Sequence, residues 1–148
     1  DVNIDKKETH RESDSFMPGN KIVMFHINNI KVGFTICYDL RFPNLFRKLA
    51  KQGSLFISVP SAFTETTGKK HWHSLLKARA IENFSYIFAP AQGGSHYNGR
   101  KTFGHSLIIS PDGKIIKKLN RKEGVITASI NPLMAKKLRK IIPSLKLD

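Results

Sequence analysis

The chain has little cysteine and no long apolar run, and both features limit the kinds of protein to which it can belong. Its 148 residues contain one cysteine, Cys37, which excludes an internal disulfide and is typical of a reducing compartment. No apolar run is long enough to cross a bilayer and no signal peptide is recognisable. We therefore expect a cytoplasmic protein that does not contact a membrane. Repeats and Pro/Gly-rich linkers are also missing, and the length suits a single domain.

Acidic residues are scarce as well: Lys and Arg number 25 against 11 Asp and Glu, a formal net charge of +14. A basic surface that releases counterions from phosphate could bind nucleic acid. The lysines, however, occur as scattered pairs without interleaved aromatic residues, and no zinc or helix-turn-helix motif accompanies them. We expect a solvated basic surface without specific nucleic-acid binding, and we keep a nucleic-acid binder as a distant third function.

The most informative stretch covers residues 32–43. An apolar, β-branched and aromatic run predicts a buried strand that ends at Cys37, and Pro43 suits the first position of a helix after a short turn. A thiol held at the end of a rigid strand, followed by free backbone N–H groups, is well placed for nucleophilic catalysis. The alternative is a buried cysteine that packs as a small hydrophobic residue. Spacing alone leaves both interpretations open.

The remaining pattern alternates strands and helices. Asn28 and Asn29 tolerate a positive φ and predict a hairpin turn, and Asn131 can cap a last helix. The predicted strands are 21–27, 30–36, 55–59, 84–91, 105–110, 114–119 and 124–130, and the other predicted helices are 44–52 and 71–83. Residues 1–20 show no periodicity, and the glycines of 93–99 predict a flexible loop rather than a phosphate loop. The pattern indicates an α/β protein with a mixed sheet.

The letters I-C-Y-D-L-R-F-P at 36–43 resemble the nucleophile motif of the nitrilase, or carbon–nitrogen hydrolase, superfamily. Further segments resemble family motifs in the same order: 59–63, 66–68, 71–72, 77–83, 91–92, 104–106 and 110–113. The resemblance extends to about Pro143 and is greatest to the Nit branch, whose members cleave small amides such as omega-amides and deaminated glutathione.

The resemblance implies a four-layer αββα sandwich, of which residues 1–148 would be the C-terminal half, a partial domain. Such a half leaves apolar sheet surface uncovered, so we expect either a complementing N-terminal half or a homo-oligomer to cover it. The family's general-base glutamate and oxyanion-stabilising lysine align before Asp1. We therefore expect the chain alone to be a poor catalyst, and an inactive remnant or interaction module of the same fold is the alternative function.

The resemblance further implies amide hydrolysis through a thioester on Cys37, without a cofactor. A further glutamate near the family's active site aligns with Glu12. The elbow residues have supporting roles: the Tyr38 N–H is a candidate oxyanion donor, and Asp39 and Arg41, which flank the turn, could pair with each other and are expected to brace it. The candidate substrate-binding residues follow the next predicted strand and are Ser61, Phe63, Thr66 and Thr67.

The histidines 71 and 73 do not predict a metal site. Residues two positions apart on a helix do not face each other, and no third ligand is near in sequence. We expect no bound metal. His73 also stands where the Nit pattern usually has glutamate, so the substrate does not follow from the resemblance.

Overall fold

The computed structural model describes residues 2–3, 9–97 and 99–147. Within these ranges the strands are β1 (Val2–Asn3), β2 (Thr9–His10), β3 (Val23–Ile27), β4 (Ile30–Phe34), β5 (Phe56–Ser58), β6 (Tyr86–Ala89), β7 (Gly93–Ser95), β8 (Lys101–Phe103), β9 (Leu107–Ile109) and β10 (Ile115–Lys118). The α-helices are α1 (Pro43–Lys51), α2 (Glu65–Asn83), α3 (Pro132–Ile141) and α4 (Ser144–Leu147). Two 3-10 helices cover Glu12–Asp14 and Cys37–Arg41.

A six-stranded mixed sheet with the order β10-β9-β6-β5-β4-β3 forms the centre of the described fold. β4, β5 and β6 run parallel, whereas β3, β9 and β10 pair antiparallel to their neighbours. The predicted hairpin between β3 and β4 is confirmed: Asn28 and Asn29 have φ values of 48° and 61°, and Ile27 pairs with Ile30. The predicted α/β class with a mixed sheet is confirmed.

Helices α1 and α2 cover one face of this sheet. Phe46, Leu49, Trp72 and Leu76 are fully buried against strand residues such as Ile57. On the other face, rings of β5 and β6 stack and the buried Ala135 of α3 packs beside them. The edge strand β3 is covered less well, because its three alternate side chains Val23, Phe25 and Ile27 are about half exposed.

Helix α2 begins six residues before its predicted start. Thr64 caps it: the Thr64 side-chain oxygen accepts from the Thr67 N–H at 3.4 Å, and the Thr64 carbonyl accepts from the Gly68 N–H at 2.8 Å. The extra turn has no apolar periodicity, so the sequence pattern did not reveal it. Gly68 is required there, because a Cβ would collide with the Phe103 side chain.

Two other predictions are wrong. Residues 93–99 are not simply a loop, since β7 pairs with β8 in the register Gly93 to Phe103. Residues 124–130 form no strand: this described segment has no ladder partner, and Val125 is 89% exposed. The N-terminal segment, for which no element was predicted, contains the short β1–β2 ladder and the Glu12–Asp14 turn.

Candidate active site

Cys37 lies at a sharp turn where β4 ends. The hydrogen-bond ladder between β4 and β5 continues beyond the two strands: the Thr35 N–H donates to Ser58 O at 3.0 Å, and the Cys37 N–H donates to Pro60 O at 2.8 Å. Cys37 itself has a φ of 45°, in the left-handed region that few non-glycine residues occupy. Such conformations cost about 1–3 kcal/mol and cluster at functional sites. The backbone is therefore strained at Cys37, and it holds the half-buried side chain at the end of the strand.

Asp39 closes this turn from both sides. Its carboxylate Oδ2 accepts from the Ile36 N–H at 2.8 Å, and its own N–H donates to Ile36 O at 2.9 Å. The Tyr38 N–H lies in the first turn of the 3-10 helix, one residue after the thiol in the chain. Its part as an oxyanion donor stays a prediction.

Arg41 reaches α2 instead of pairing with Asp39. Its Nη1 lies 3.3 Å from His71 Nδ1, and its guanidinium carbon lies 5.3 Å from the centre of the Phe63 ring and 5.8 Å from that of Tyr38. These contacts tie the elbow to the start of the neighbouring helix. Arg41 therefore supports the turn through α2 and the aromatic rings.

The Cys37 thiol opens into a cavity of about 590 Å³, which we call the Cys37 cavity. It lies where parallel strands end, the usual place for ligands in open α/β sheets. Its wall comes from the elbow, from the segments after β5 and β6 and from three more distant residues: Ile36, Cys37, Pro60, Ser61, Ala62, Pro90, Ala91, Gln92, Glu12, Arg100 and Ser106. The volume is within the range of small-molecule sites.

Three of the predicted site residues meet in this cavity. Glu12, exposed on its 3-10 helix, lines it together with Cys37 and Ser61. The Ser61 hydroxyl donates back to Val59 O at 3.2 Å, and its N–H donates to Pro90 O at 3.0 Å, so Ser61 joins the ends of two strands. A carboxylate and a thiol thus line the same cavity.

The structure does not bring Phe63, Thr66 and Thr67 to this cavity. Phe63 is 5% exposed and packs against Trp72, with ring centres 5.1 Å apart. The Thr67 hydroxyl lies 2.8 Å from the Thr64 hydroxyl in the helix cap, and Thr66 is exposed in the same turn. Their part in substrate binding stays a prediction.

Sequence reasoning missed Gln92, Arg100 and Ser106 as wall residues. Arg100 Nη2 donates to Ala62 O at 2.8 Å, and Ser106 Oγ accepts from the Ala91 N–H at 2.9 Å. Ser106 and Gln92 stood in family-like motifs, whereas Arg100 directly follows the segment that was predicted to be a loop. Only the long-range pairing of these segments places them beside Cys37.

Among the described residues, no group of three or more His, Cys, Asp or Glu side chains could hold a metal ion. None of the helices that the structure describes is long and apolar enough to cross a membrane.

Comparison with known proteins places the chain in a family. The carbon-nitrogen hydrolase family model matches residues 2–140. A deaminated glutathione amidase from Synechocystis is 47% identical over 148 residues, covering 99% of this chain and 54% of that protein. One from Yersinia enterocolitica is 42% identical over 146 residues, covering 97% of this chain and 51% of that protein. The chain spans about half the length of the curated relatives that it matches.

Solved structures show the same likeness. Saccharomyces cerevisiae Nit3 has a TM-score of 0.83 at 33% identity, covering 89% of this chain and 49% of that one. The Caenorhabditis elegans NitFhit protein has a TM-score of 0.91 at 35% identity, covering all of this chain and 36% of that one. The chain therefore belongs to the carbon–nitrogen hydrolase family, in the Nit-type branch of the nitrilase superfamily.

Proposed function

We propose that this chain carries the nucleophile of an amidase that acts on small amides such as deaminated glutathione or omega-amides. One observation carries the proposal: the only cysteine stands at a strained strand end and lines a cavity of substrate size. Relatives that bear the name deaminated glutathione amidase support that substrate. The free cysteine also suits a reducing compartment, and we place the protein in the cytoplasm.

In this reaction the Cys37 thiolate attacks the amide carbonyl carbon. The carbonyl oxygen becomes an oxyanion, for which the Tyr38 N–H is the nearest backbone donor in sequence. The C–N bond then breaks, the amine leaves with a proton, and the acyl group remains on sulfur as a thioester. Water hydrolyses the thioester and releases the acid and the thiol. We assign to Glu12 a contact with the departing amine or the incoming water, because it lines the same cavity.

A thiol must lose its proton before it attacks, and the described wall of the Cys37 cavity offers one carboxylate, Glu12, and no lysine. We propose that a complementing part of the family domain supplies the general base and the lysine that the motif resemblance implies. A complementing part or a second copy would also cover the half-exposed side chains of the edge strand β3.

Acylation of the full chain tests the nucleophile directly. We would incubate the protein with a 4-nitrophenyl ester of 2-oxoglutarate at its γ-carboxyl and measure intact mass. We expect one acyl group on Cys37, removable by hydroxylamine, and no adduct on Cys37→Ala. A chain that stays unmodified while its thiol reacts with Ellman's reagent would contradict the assignment.

The second candidate function is a non-catalytic remnant or interaction module of the same fold. The sparse set of ionisable groups on the cavity wall favours it. Ammonia release from an omega-amide separates the two: an amidase gains turnover when a segment with the missing glutamate and lysine is added, and Cys37→Ala abolishes it. A remnant shows no turnover in either mixture.

A further inference from the structure

The family-like segment 77–83 forms the C-terminal part of α2, and the described wall of the Cys37 cavity includes none of its residues. Its Arg79 is nevertheless only 6% exposed, and arginine is rarely buried so deeply unless it is paired. Arg79 Nε donates to Leu40 O at 3.1 Å. Leu40 is fully buried in the 3-10 helix that begins at Cys37. A buried cation of α2 is therefore bound directly to the nucleophile elbow, residues 36–42.

The backbone of the elbow cannot continue its own hydrogen bonds to this carbonyl. The Phe42 N–H donates to Asp39 O, three residues back, at 3.0 Å. The next bond of the same type would join residue 43 to Leu40 O, but Pro43 has no N–H. A buried carbonyl that lacks a donor costs free energy. Arg79 supplies a donor at this point, and because the donor is charged the bond is a strong one.

Neighbouring groups fix the direction of the Arg79 side chain. Its Nη1 donates to Glu82 Oε1 at 2.9 Å, one helical turn further along α2. The same oxygen lies 3.4 Å from Asn83 Nδ2, and Arg47 Nη1 of α1 donates to Glu82 O at 2.6 Å. The guanidinium carbon of Arg79 also lies 5.4 Å from the centre of the Phe46 ring. Both helices that cover the sheet thus hold the donor that reaches the elbow.

We propose that Arg79 is the positioning residue of the nucleophile elbow. Asp39 Oδ2 holds the start of the elbow through the Ile36 N–H, and Arg79 holds its end through Leu40 O. Between these two anchors Cys37 keeps its φ of 45°, a conformation that persists only where the surrounding structure enforces it. This inference rests on the proposed amidase function. It adds that Arg79 acts on the reaction through the elbow, without contact with the substrate.

Two reactions of the same thiol separate its position from its accessibility. With the 4-nitrophenyl ester of 2-oxoglutarate, the Cys37 thiolate attacks the carbonyl carbon, an oxyanion forms and 4-nitrophenolate leaves. With iodoacetamide, a C–S bond forms as iodide leaves, and no oxyanion develops. Only the first reaction depends on how the thiol is directed relative to oxyanion donors. The ratio of acylation rate to alkylation rate, both followed by intact mass, therefore measures positioning.

The variants assign this ratio to one hydrogen bond. Arg79→Met keeps the aliphatic stem and removes every donor, so the ratio should fall about tenfold, the scale of one hydrogen bond from a charged group. Arg79→Lys keeps the charge without the planar fork and should fall less. Glu82→Gln retains the bond to Leu40 O and should stay close to the wild-type ratio. Arg139→Met is the control for stability: its guanidinium donates to carbonyls outside the elbow, so unfolding should become easier while the ratio stays unchanged.

Hydrogen exchange of backbone amides provides a second measurement that needs no substrate. In Arg79→Met the N–H groups of Asp39 and Phe42 should exchange about tenfold faster relative to that of Ile87, which is fully buried in β6, because the elbow opens locally. In Arg139→Met the elbow amides should not accelerate more than the Ile87 amide. A change in stability alone cannot produce a selective effect at the elbow.

An unchanged ratio or unchanged elbow exchange in Arg79→Met would refute the inference and leave Cys37 as the nucleophile. An equal fall of the ratio in Arg139→Met would refute it as well, because the effect would then follow stability. If Arg79→Met does not fold, Arg79→Lys decides by the same two measurements. A wild-type chain that iodoacetamide alkylates but the ester does not acylate would contradict the proposed function, and amide exchange would then decide the role of Arg79.

Discussion

Arg139 should contribute more to stability than any other charge on α3. Its guanidinium donates to three backbone carbonyls and one hydroxyl: Asn83 O at 3.0 and 3.2 Å, Ala50 O at 3.4 Å, Ser54 O at 2.6 Å and Ser85 Oγ at 2.8 Å. These acceptors lie at the end of α1, at the end of α2 and in the turns that enter β5 and β6. One side chain therefore fastens α3 to both sheet-covering helices.

Replacing Arg139 with Met keeps the aliphatic stem and removes every donor. Ser54 O and Asn83 O retain only long contacts from the Ser85 hydroxyl, at 3.4 and 3.3 Å, and Ala50 O keeps its turn hydrogen bonds. Because each of these three carbonyls keeps another donor nearby, we count about 1 kcal/mol for each lost bond, below the roughly 1.5–3 kcal/mol of a full hydrogen bond to a charged group. Arg139→Met should lower the free energy of unfolding by about 3 kcal/mol.

Urea unfolding followed by fluorescence measures this loss, since the only tryptophan, Trp72, is fully buried. Burial lowers the pKa of Arg139 to about 10, so the side chain stays charged at neutral pH. Because this folded-state pKa is depressed, stability would rise only as pH increases through about 10, and the difference between wild type and variant should be constant from pH 6 to pH 8. Lys140→Met, an exposed neighbour, is the control. A loss below about 0.5 kcal/mol for Arg139→Met, no larger than an ordinary surface substitution, would refute the reasoning.

Four further outcomes follow from the structure. Burial, with His105 and two nearby lysines as further causes, lowers the pKa of His73; the free energy of unfolding should therefore fall as pH drops below 6.5, and His73→Gln should flatten that dependence in urea titrations at pH 5 and 7. Asp39→Ala, which removes the acceptor of the Ile36 N–H, should cost about 1 kcal/mol and slow Cys37 alkylation, whereas Asp39→Asn should keep most of both. The exposed apolar face of β3 should make the chain self-associate or bind a hydrophobic dye, and a clean monomer by sedimentation without dye binding would contradict this. Polyanion binding should be weak and steeply salt-dependent, and a preferred sequence that survives physiological salt would overturn that expectation.

Local chemistry determined which parts of the fold the sequence could predict. The hairpin at Asn28 and Asn29 and the amphipathic helix α1 depend on neighbouring residues, so their patterns were sufficient. The first turns of α2 depend instead on a distant contact, the packing of Gly68 against Phe103, and residues 65–70 show no apolar periodicity. The apolar alternation of residues 124–130 predicted a strand, but alternation cannot reveal whether a partner strand lies beside it.

The candidate site likewise has one part that the local sequence predicts and another that it does not. The elbow at Cys37 could be predicted, because a strand, a turn and Pro43 are consecutive in the chain and the motif resemblance names the nucleophile. Its surroundings could not, because they depend on which segments cross. The β7–β8 hairpin brings Arg100 to Ala62, but its glycines led to the prediction of a loop. The Arg121 backbone packs directly against Gly93 because glycine has no Cβ, and nothing in the local sequence of Arg121 indicates that contact. The residues that hold the thiol are thus encoded close to it in the chain, whereas the rest of the cavity wall is brought in by tertiary pairing, which a local pattern cannot reveal.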